Sequence, residues 1–244
     1  MVRVSAVSYT NSIPFVYGLQ HSSIHSQIEL SLDIPSLCAE KLLQGKADIG
    51  LIPAAVLPQM KEGEILSDFC IGADGPVDTV MLYSQVPLAE IKQIWLDFQS
   101  RTSVQLVQVL CKEWWKISPE FLQATHGYED RIEGNVAGVI IGDRCFNQVN
   151  KFPYSYDLSE NWKLLTGLPF VFAVWYSRIP LDELVKKEFS EGLKFGLEKR
   201  GEALKELLNP NIPMETAFNY INNRISYDLD SSKRQGLDLF LSKL

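Results

Sequence analysis

The stretch Val2–Pro14, VRVSAVSYTNSIP, constrains this chain more than any other. An apolar strand pattern runs to Ser8, the polar residues Tyr9, Thr10, Asn11 and Ser12 fill a turn, and a short helix follows from Pro14 to Leu19. A strand delivered straight into a helix N-terminus is the repeating joint of α/β proteins. The unpaired N–H groups at that joint receive anionic ligands. Here the turn carries an amide and hydroxyls instead of glycines, which favours a small carboxylate-bearing molecule over a nucleotide pyrophosphate.

The same alternation continues. Ile28–Asp33 reads as a strand and Pro35–Gln44 as a helix with proline near its start and Gly45 past its end. Ala47–Ile52 is a short buried strand followed by a helical turn over Pro53–Met60, and Phe69–Ala73 and Val77–Tyr83 are strand-like. A second block begins near Ser84, with strands expected at Gln93–Leu96, Val136–Ile141 and Phe170–Tyr176 and a helix over Ser103–Trp115. Helical patterns cover Leu181–Leu208, Pro213–Asn223 and Ser231–Leu244. This order predicts an α/β chain with largely parallel sheets in two lobes. Residues 1–83 with 175–244 would form the first lobe and residues 84–174 the second, with strands near Met81–Tyr83 and Val171–Tyr176 crossing between them. A ligand would be gripped in the cleft between lobes that hinge.

Length and charge limit what such a chain can do. At 244 residues it can bury a substantial core, and its formal charge of −7 argues against nucleic-acid binding. No run approaches transmembrane length, and Met1 leads into a strand rather than a leader, so the expectation is a cytoplasmic protein without stable membrane association. Cys38, Cys70, Cys111 and Cys145 lie apart in apolar segments and read as free buried thiols. His21 and His25 have HxxxH spacing but sit in a polar stretch, where solvated loop residues are expected rather than a metal site. Trp114, Trp115, Trp162 and Trp175 read as core or lobe-interface aromatics.

Five segments in register resemble one family: SYTNSIP (Ser8–Pro14), GKADIGLIP (Gly45–Pro53), LDFQSRTSVQL (Leu96–Leu106), IIGD (Ile140–Asp143) and TGLPFVFAVW (Thr166–Trp175). The closing ISYDLDSSKRQGLDLF (Ile225–Phe240) is similar as well. They resemble the MqnA family, chorismate dehydratases of the futalosine route to menaquinone, along essentially the whole chain. The resemblance implies a two-lobed fold of the type II periplasmic-binding-protein kind. It also implies loss of water from chorismate to give 3-[(1-carboxyvinyl)oxy]benzoate without a cofactor. A sister family that forms 1,4-dihydroxy-6-naphthoate has a first turn close to S-P-C-P-N-D-T and a catalytic second-lobe histidine. Here the turn differs, and the only second-lobe histidine is His126, outside the IIGD segment. One departure from the MqnA pattern stands in GPVDTVMLYS (Gly75–Ser84), where Thr79 takes the hydroxyl position and Asp78 the place where a basic residue is common.

The candidate site follows from residues and resemblance together. Asn11 can donate to a carboxylate or to the departing hydroxyl, or else form an Asx-turn that caps the helix at Pro14. Tyr9 and Ser12 are pocket neighbours or turn formers. Thr79 is the second catalytic candidate by resemblance; by itself it is an ordinary β-branched strand residue. Ser100, Arg101, Thr102 and Ser103 open a helix after a strand and can converge on a carboxylate, an N-cap being the plain alternative. Pro53 and Ala54 are expected to wall the cleft. Gly142 and Asp143 stand at a strand's C-terminal end. There Asp143 is a candidate base, a helix cap or a partner for Arg144, and the substrate's own enolpyruvyl carboxylate is the alternative proton acceptor. A solute-binding protein of the same fold that does no chemistry is the competing class.

Overall fold

The computed structural model describes residues 1–244. In chain order the elements are β1 (Val2–Val7), α1 (Ile13–Gln20), β2 (Ile28–Asp33), α2 (Pro35–Leu43), β3 (Ile49–Pro53), β4 (Glu64–Ala73) and β5 (Val80–Ser84). Next come β6 (Gln93–Leu96), α3 (Thr102–Leu110), β7 (Glu120–Gln123), β8 (Val136–Ile141), β9 (Tyr154–Asp157), α4 (Leu158–Thr166) and β10 (Phe170–Ser177). The chain closes with α5 (Glu183–Glu198), α6 (Arg200–Leu207), α7 (Met214–Asn223), β11 (Ser226–Asp228) and α8 (Ser231–Leu241).

The strands form two sheets, ordered β11-β4-β10-β3-β1-β2 and β7-β6-β8-β5-β9. Both are mixed, which corrects the expectation of largely parallel sheets. β1 runs parallel to β2 and β3, whereas β10 is antiparallel to β3 and β4, and β11 to β4. In the second sheet β6 is parallel to β7 and β8, but β5 is antiparallel to β8 and β9. Continuous apolar runs such as FVFAVWY look alike in either direction, because burial on both faces fixes composition and not polarity. All of β5 belongs to the second sheet and all of β10 to the first. The chain therefore passes between sheets at residues 74–79 and 167–169, a few residues ahead of the expected boundaries at 83 and 174.

Aromatic packing ties the helices to the first sheet. Phe15 meets Trp175 edge-on at 5.9 Å, Trp175 meets Phe189 at 5.1 Å, and Trp162 and Phe240 both pack on Phe170. Helices α1 and α5 approach through glycines: a Cβ on Gly196 would lie 1.8 Å from the Pro14 carbonyl oxygen, and one on Gly18 2.0 Å from that of Gly192. That contact fixes the start of α1 and, through it, the Tyr9–Ser12 turn. The long helical pattern over Leu181–Leu208 is broken at Lys199 into α5 and α6, and β7, β9, β11 and α4 carry no pattern strong enough to be anticipated.

All four cysteines are free and buried, as expected. Trp162 and Trp175 are core residues, but Trp114 is 40% exposed; it and Trp115 both donate their indole N–H to the Asn161 side chain. No helix is long and apolar enough to cross a membrane.

Candidate active site

A cleft of about 530 Å³, counting its solvent-facing mouth, opens between the two sheets. Eight of the expected site residues line it: Tyr9, Asn11, Pro53, Thr79, Ser100, Thr102, Ser103 and Gly142. Apolar walls come from Val7, Ile71, Val77, Phe172 and Ile225, among others. No lining residue carries a formal charge.

The turn after β1 forms the first wall. Its short 3-10 turn over Thr10–Ser12 has no side-chain cap, so Asn11 is not the Asx-turn residue that its neighbourhood allowed. Instead its Nδ2 donates to the Tyr220 hydroxyl at 3.4 Å, while Ser12 Oγ donates to Asn11 Oδ1 at 3.1 Å. Ser12 is therefore a support behind Asn11, fully buried, and not a cleft residue. Tyr227 donates its hydroxyl to the Asn11 carbonyl oxygen at 3.0 Å. On the strip that crosses between sheets, Thr79 Oγ1 lies 2.6 Å from the same Tyr220 hydroxyl. Burial pushes the Tyr220 phenol well above its ordinary value, so it stays neutral. Neither tyrosine was anticipated. Both lie more than 140 residues beyond Thr79, and a Tyr in an amphipathic helix or short strand looks like any core aromatic.

The strip itself is held by a buried carboxylate. Asp157 accepts from the Val77 and Asp78 backbone N–H groups at 2.8 and 2.7 Å and caps α4 through Ser159 and Glu160. Burial pushes its carboxyl up to about 6, against the pull of those N–H groups. Asp78 adopts a left-handed backbone (φ 64°), and its carboxylate takes the Arg224 guanidinium at 2.6 Å. A cation thus reaches the position where the sequence has an acid, but from the end of α7 and outside the cleft.

The N-terminus of α3 forms the opposite wall, and its residues divide the work. Ser100 Oγ, one residue ahead of the N-cap Arg101, accepts from Ser103 N at 2.9 Å and so satisfies one N–H of the first turn of α3. Thr102 Oγ1 donates to the Phe172 carbonyl at 3.0 Å and accepts from Ala55 N at 3.2 Å, tying the second sheet's helix to the first sheet. The Ser103 hydroxyl has no protein partner. Arg101 does not reach the cleft, and Ala54 is fully buried behind Pro53, so these two expected contacts are corrected.

At the end of β8, Gly142 has φ 64°, and a Cβ there would meet the Tyr9 ring at 2.7 Å; only glycine suits both demands. Asp143, expected to face the ligand, faces away from it. Its carboxylate accepts the Thr10 N–H at 3.1 and 3.2 Å and lies behind the Tyr9 turn. Burial raises its carboxyl and the Thr10 N–H opposes that rise. Arg144 pairs not with Asp143 but with Asp97 and Glu129. Asp97 also accepts from the Tyr128 hydroxyl at 2.9 Å, and Gln99, its neighbour, takes the Tyr9 hydroxyl. Of the histidines, His21 meets Glu206 on the surface at 2.9 Å and His126 packs on Phe98 at 4.5 Å; neither lines the cleft.

Residues 2–244 match a family described as menaquinone biosynthesis. The chain is 25% identical over 236 residues to chorismate dehydratase of Thermus thermophilus, covering 86% of this chain and 84% of that one. Among solved structures, a protein of Archaeoglobus fulgidus superposes with a TM-score of 0.78 at 16% identity, covering 99% of this chain and 96% of the other. A Candida albicans protein described as having the generic periplasmic-binding-protein fold gives 0.64 at 12% identity, covering 98% and 90%. The aliphatic sulphonate binding protein SsuA of Escherichia coli gives 0.55 at 15%, covering 99% and 91%. These likenesses place the two sheets and the cleft in the two-lobed α/β fold of periplasmic-binding-protein type.

Proposed function

The chain belongs to the menaquinone biosynthesis family, and on that premise we propose that it is a chorismate dehydratase, a carbon–oxygen lyase that converts chorismate to 3-[(1-carboxyvinyl)oxy]benzoate. The ring carbon bearing the enolpyruvyl ether loses its proton, the neighbouring hydroxyl departs, and the two leave as water. Oxidation state is unchanged overall, and aromatisation of the ring drives the step.

The observation that carries this reading is the wall of the cleft: every polar side chain on it is a neutral hydroxyl or amide. Such groups donate to carboxylates and to a departing hydroxyl, and at neutral pH none of them is a base for a ring proton. With Asp143 turned to the Thr10 backbone, the acceptor is the substrate's own enolpyruvyl carboxylate, held beside the proton it removes. Asn11 and Thr79 assist the leaving hydroxyl, and Ser103 with the α3 N-terminus receives a carboxylate. Tyr9 and Pro53 confine the ring. An anionic substrate approaches a chain of net charge −7, so its affinity rests on these local donors. The place of His126, away from the cleft, favours this reading over the 1,4-dihydroxy-6-naphthoate enzymes.

The test is to mix the purified protein with chorismate and follow the substituted benzoate by chromatography and mass. Product above the spontaneous background is expected. Chorismate binding without turnover would make the chain a carboxylate-binding protein instead.

A further inference from the structure

Tyr220 sits on α7, in the C-terminal part of the chain, and reaches both catalytic candidates at once. Its hydroxyl is 2.6 Å from Thr79 Oγ1 and 3.4 Å from Asn11 Nδ2. We propose that Tyr220 is a positioning residue that sets the hydrogen-bond polarity of the cleft, fixing Thr79 as a donor toward the ligand. The proposal rests on the dehydratase reading and deepens it.

An amide nitrogen only donates, so the Tyr220 oxygen must accept from Asn11. The phenol has one hydrogen of its own, it is buried, and its remaining neighbour is Thr79. Leaving that hydrogen unpaired would cost about 1–3 kcal/mol, so it goes to Thr79 Oγ1. Thr79 then accepts from behind, and its own hydroxyl hydrogen, with no other protein partner, is free for the cleft. Asn11 is ordered in the same sense: Oδ1 is taken by Ser12, one N–H goes to Tyr220, and the second N–H remains. Bonds in such a chain polarise one another, which strengthens the Thr79 donor as negative charge grows on a departing oxygen.

The phenol is also firmly placed. Its ring meets Phe146 edge-on at 5.4 Å, and the end of α7 is pinned to the crossing strip through Arg224 and Asp78. Tyr227 holds the Asn11 carbonyl from the same side, so the backbone that carries the amide does not depend on Tyr220.

The experiment is a double-variant cycle on the full chain with Tyr220→Phe and Thr79→Val, reading kcat and KM for chorismate with thermal midpoints alongside. Tyr220→Phe keeps the ring and should lower kcat about tenfold while KM moves much less, a split that a loosened fold would not give. In the Thr79→Val background the same change should cost at most about twofold. Thr79→Ser, which keeps the hydroxyl, should retain most of kcat. Multiplicative losses in the cycle, or an unchanged kcat in Tyr220→Phe, overturn the proposal and leave the dehydratase reading standing. Should Tyr220→Phe fail to fold, a collapse of kcat in Thr79→Ser overturns it independently. A wild-type chain that makes no product removes the dehydratase reading and this inference together.

Discussion

The cleft and the layer just behind it are built from opposite materials. The cleft wall is neutral, whereas a few residues away Asp97, Arg144, Glu129 and Asp143 form a buried or half-buried set of charges. The two regions interleave in sequence: Ser100 faces the cleft and Asp97 stands behind it, and Gly142 faces the cleft while Asp143 turns away. Charges here hold loops, and neutral donors meet the ligand. A full charge against the substrate would bind ground state and transition state alike, while an oriented hydroxyl or amide responds to charge that develops on one atom.

The comparison breaks most visibly at Arg144. Arg144→Ala leaves Asp97 buried without its cation and should cost about 3–5 kcal/mol of stability, read as a lower midpoint in urea, with turnover of the folded fraction much less affected. Equal losses in stability and turnover would mean that the charged layer takes part in chemistry.

Asn11→Ala tests the other side. Turnover should fall by about 10²–10³-fold with little change in thermal midpoint, because the Tyr227 bond is to the backbone of residue 11 and survives. Full activity would remove Asn11 from the mechanism.

Asp157 sharpens the contrast through pH. Its carboxyl is raised from 3.8 to about 6, so between those values the folded chain keeps a proton that the unfolded chain has lost. Stability contributed by this group therefore falls as pH rises through that window, by at most about 3 kcal/mol, and is level above it. The difference in unfolding free energy between wild type and Asp157→Asn, followed from pH 4 to 7, should show that slope; a flat difference would mean that the four N–H bonds outweigh burial.

The smallest effect is expected at Ser103. Ser103→Ala should raise KM by several-fold, in line with the ~1 kcal/mol of one hydrogen bond, with kcat little changed. An unaltered KM would reduce the start of α3 to a capped helix end.

Much of this arrangement was legible because strand ends announce themselves. The polar turn after β1 and the serines after β6 stand where apolar runs stop, and Tyr9, Asn11, Ser100 and Ser103 do line the cleft. What escaped depends on partners rather than pattern. β7 and β9 have four residues each, partly exposed, and are strands because β6 and β5 pair with them. The direction of β10 follows from the chain's return out of the second sheet, which no local period encodes. Asp143 could not be oriented in advance, since the left-handed turn at Gly142 decides which side of the loop its side chain takes. Tyr220 escaped for the plainest reason: nothing near it in the chain hints at Asn11 or Thr79.

That separation has a consequence for how the protein is made. The Tyr9–Ser12 turn leaves the ribosome some two hundred residues ahead of Tyr220, on the order of ten seconds or more at ~5–20 residues per second. Until α7 and β11 emerge, Asn11 and Thr79 lack the hydroxyls that hold them. A nascent chain, even with its second sheet formed, meets its ligand with an unfinished site, and the pocket becomes competent only once α7 and β11 have joined it.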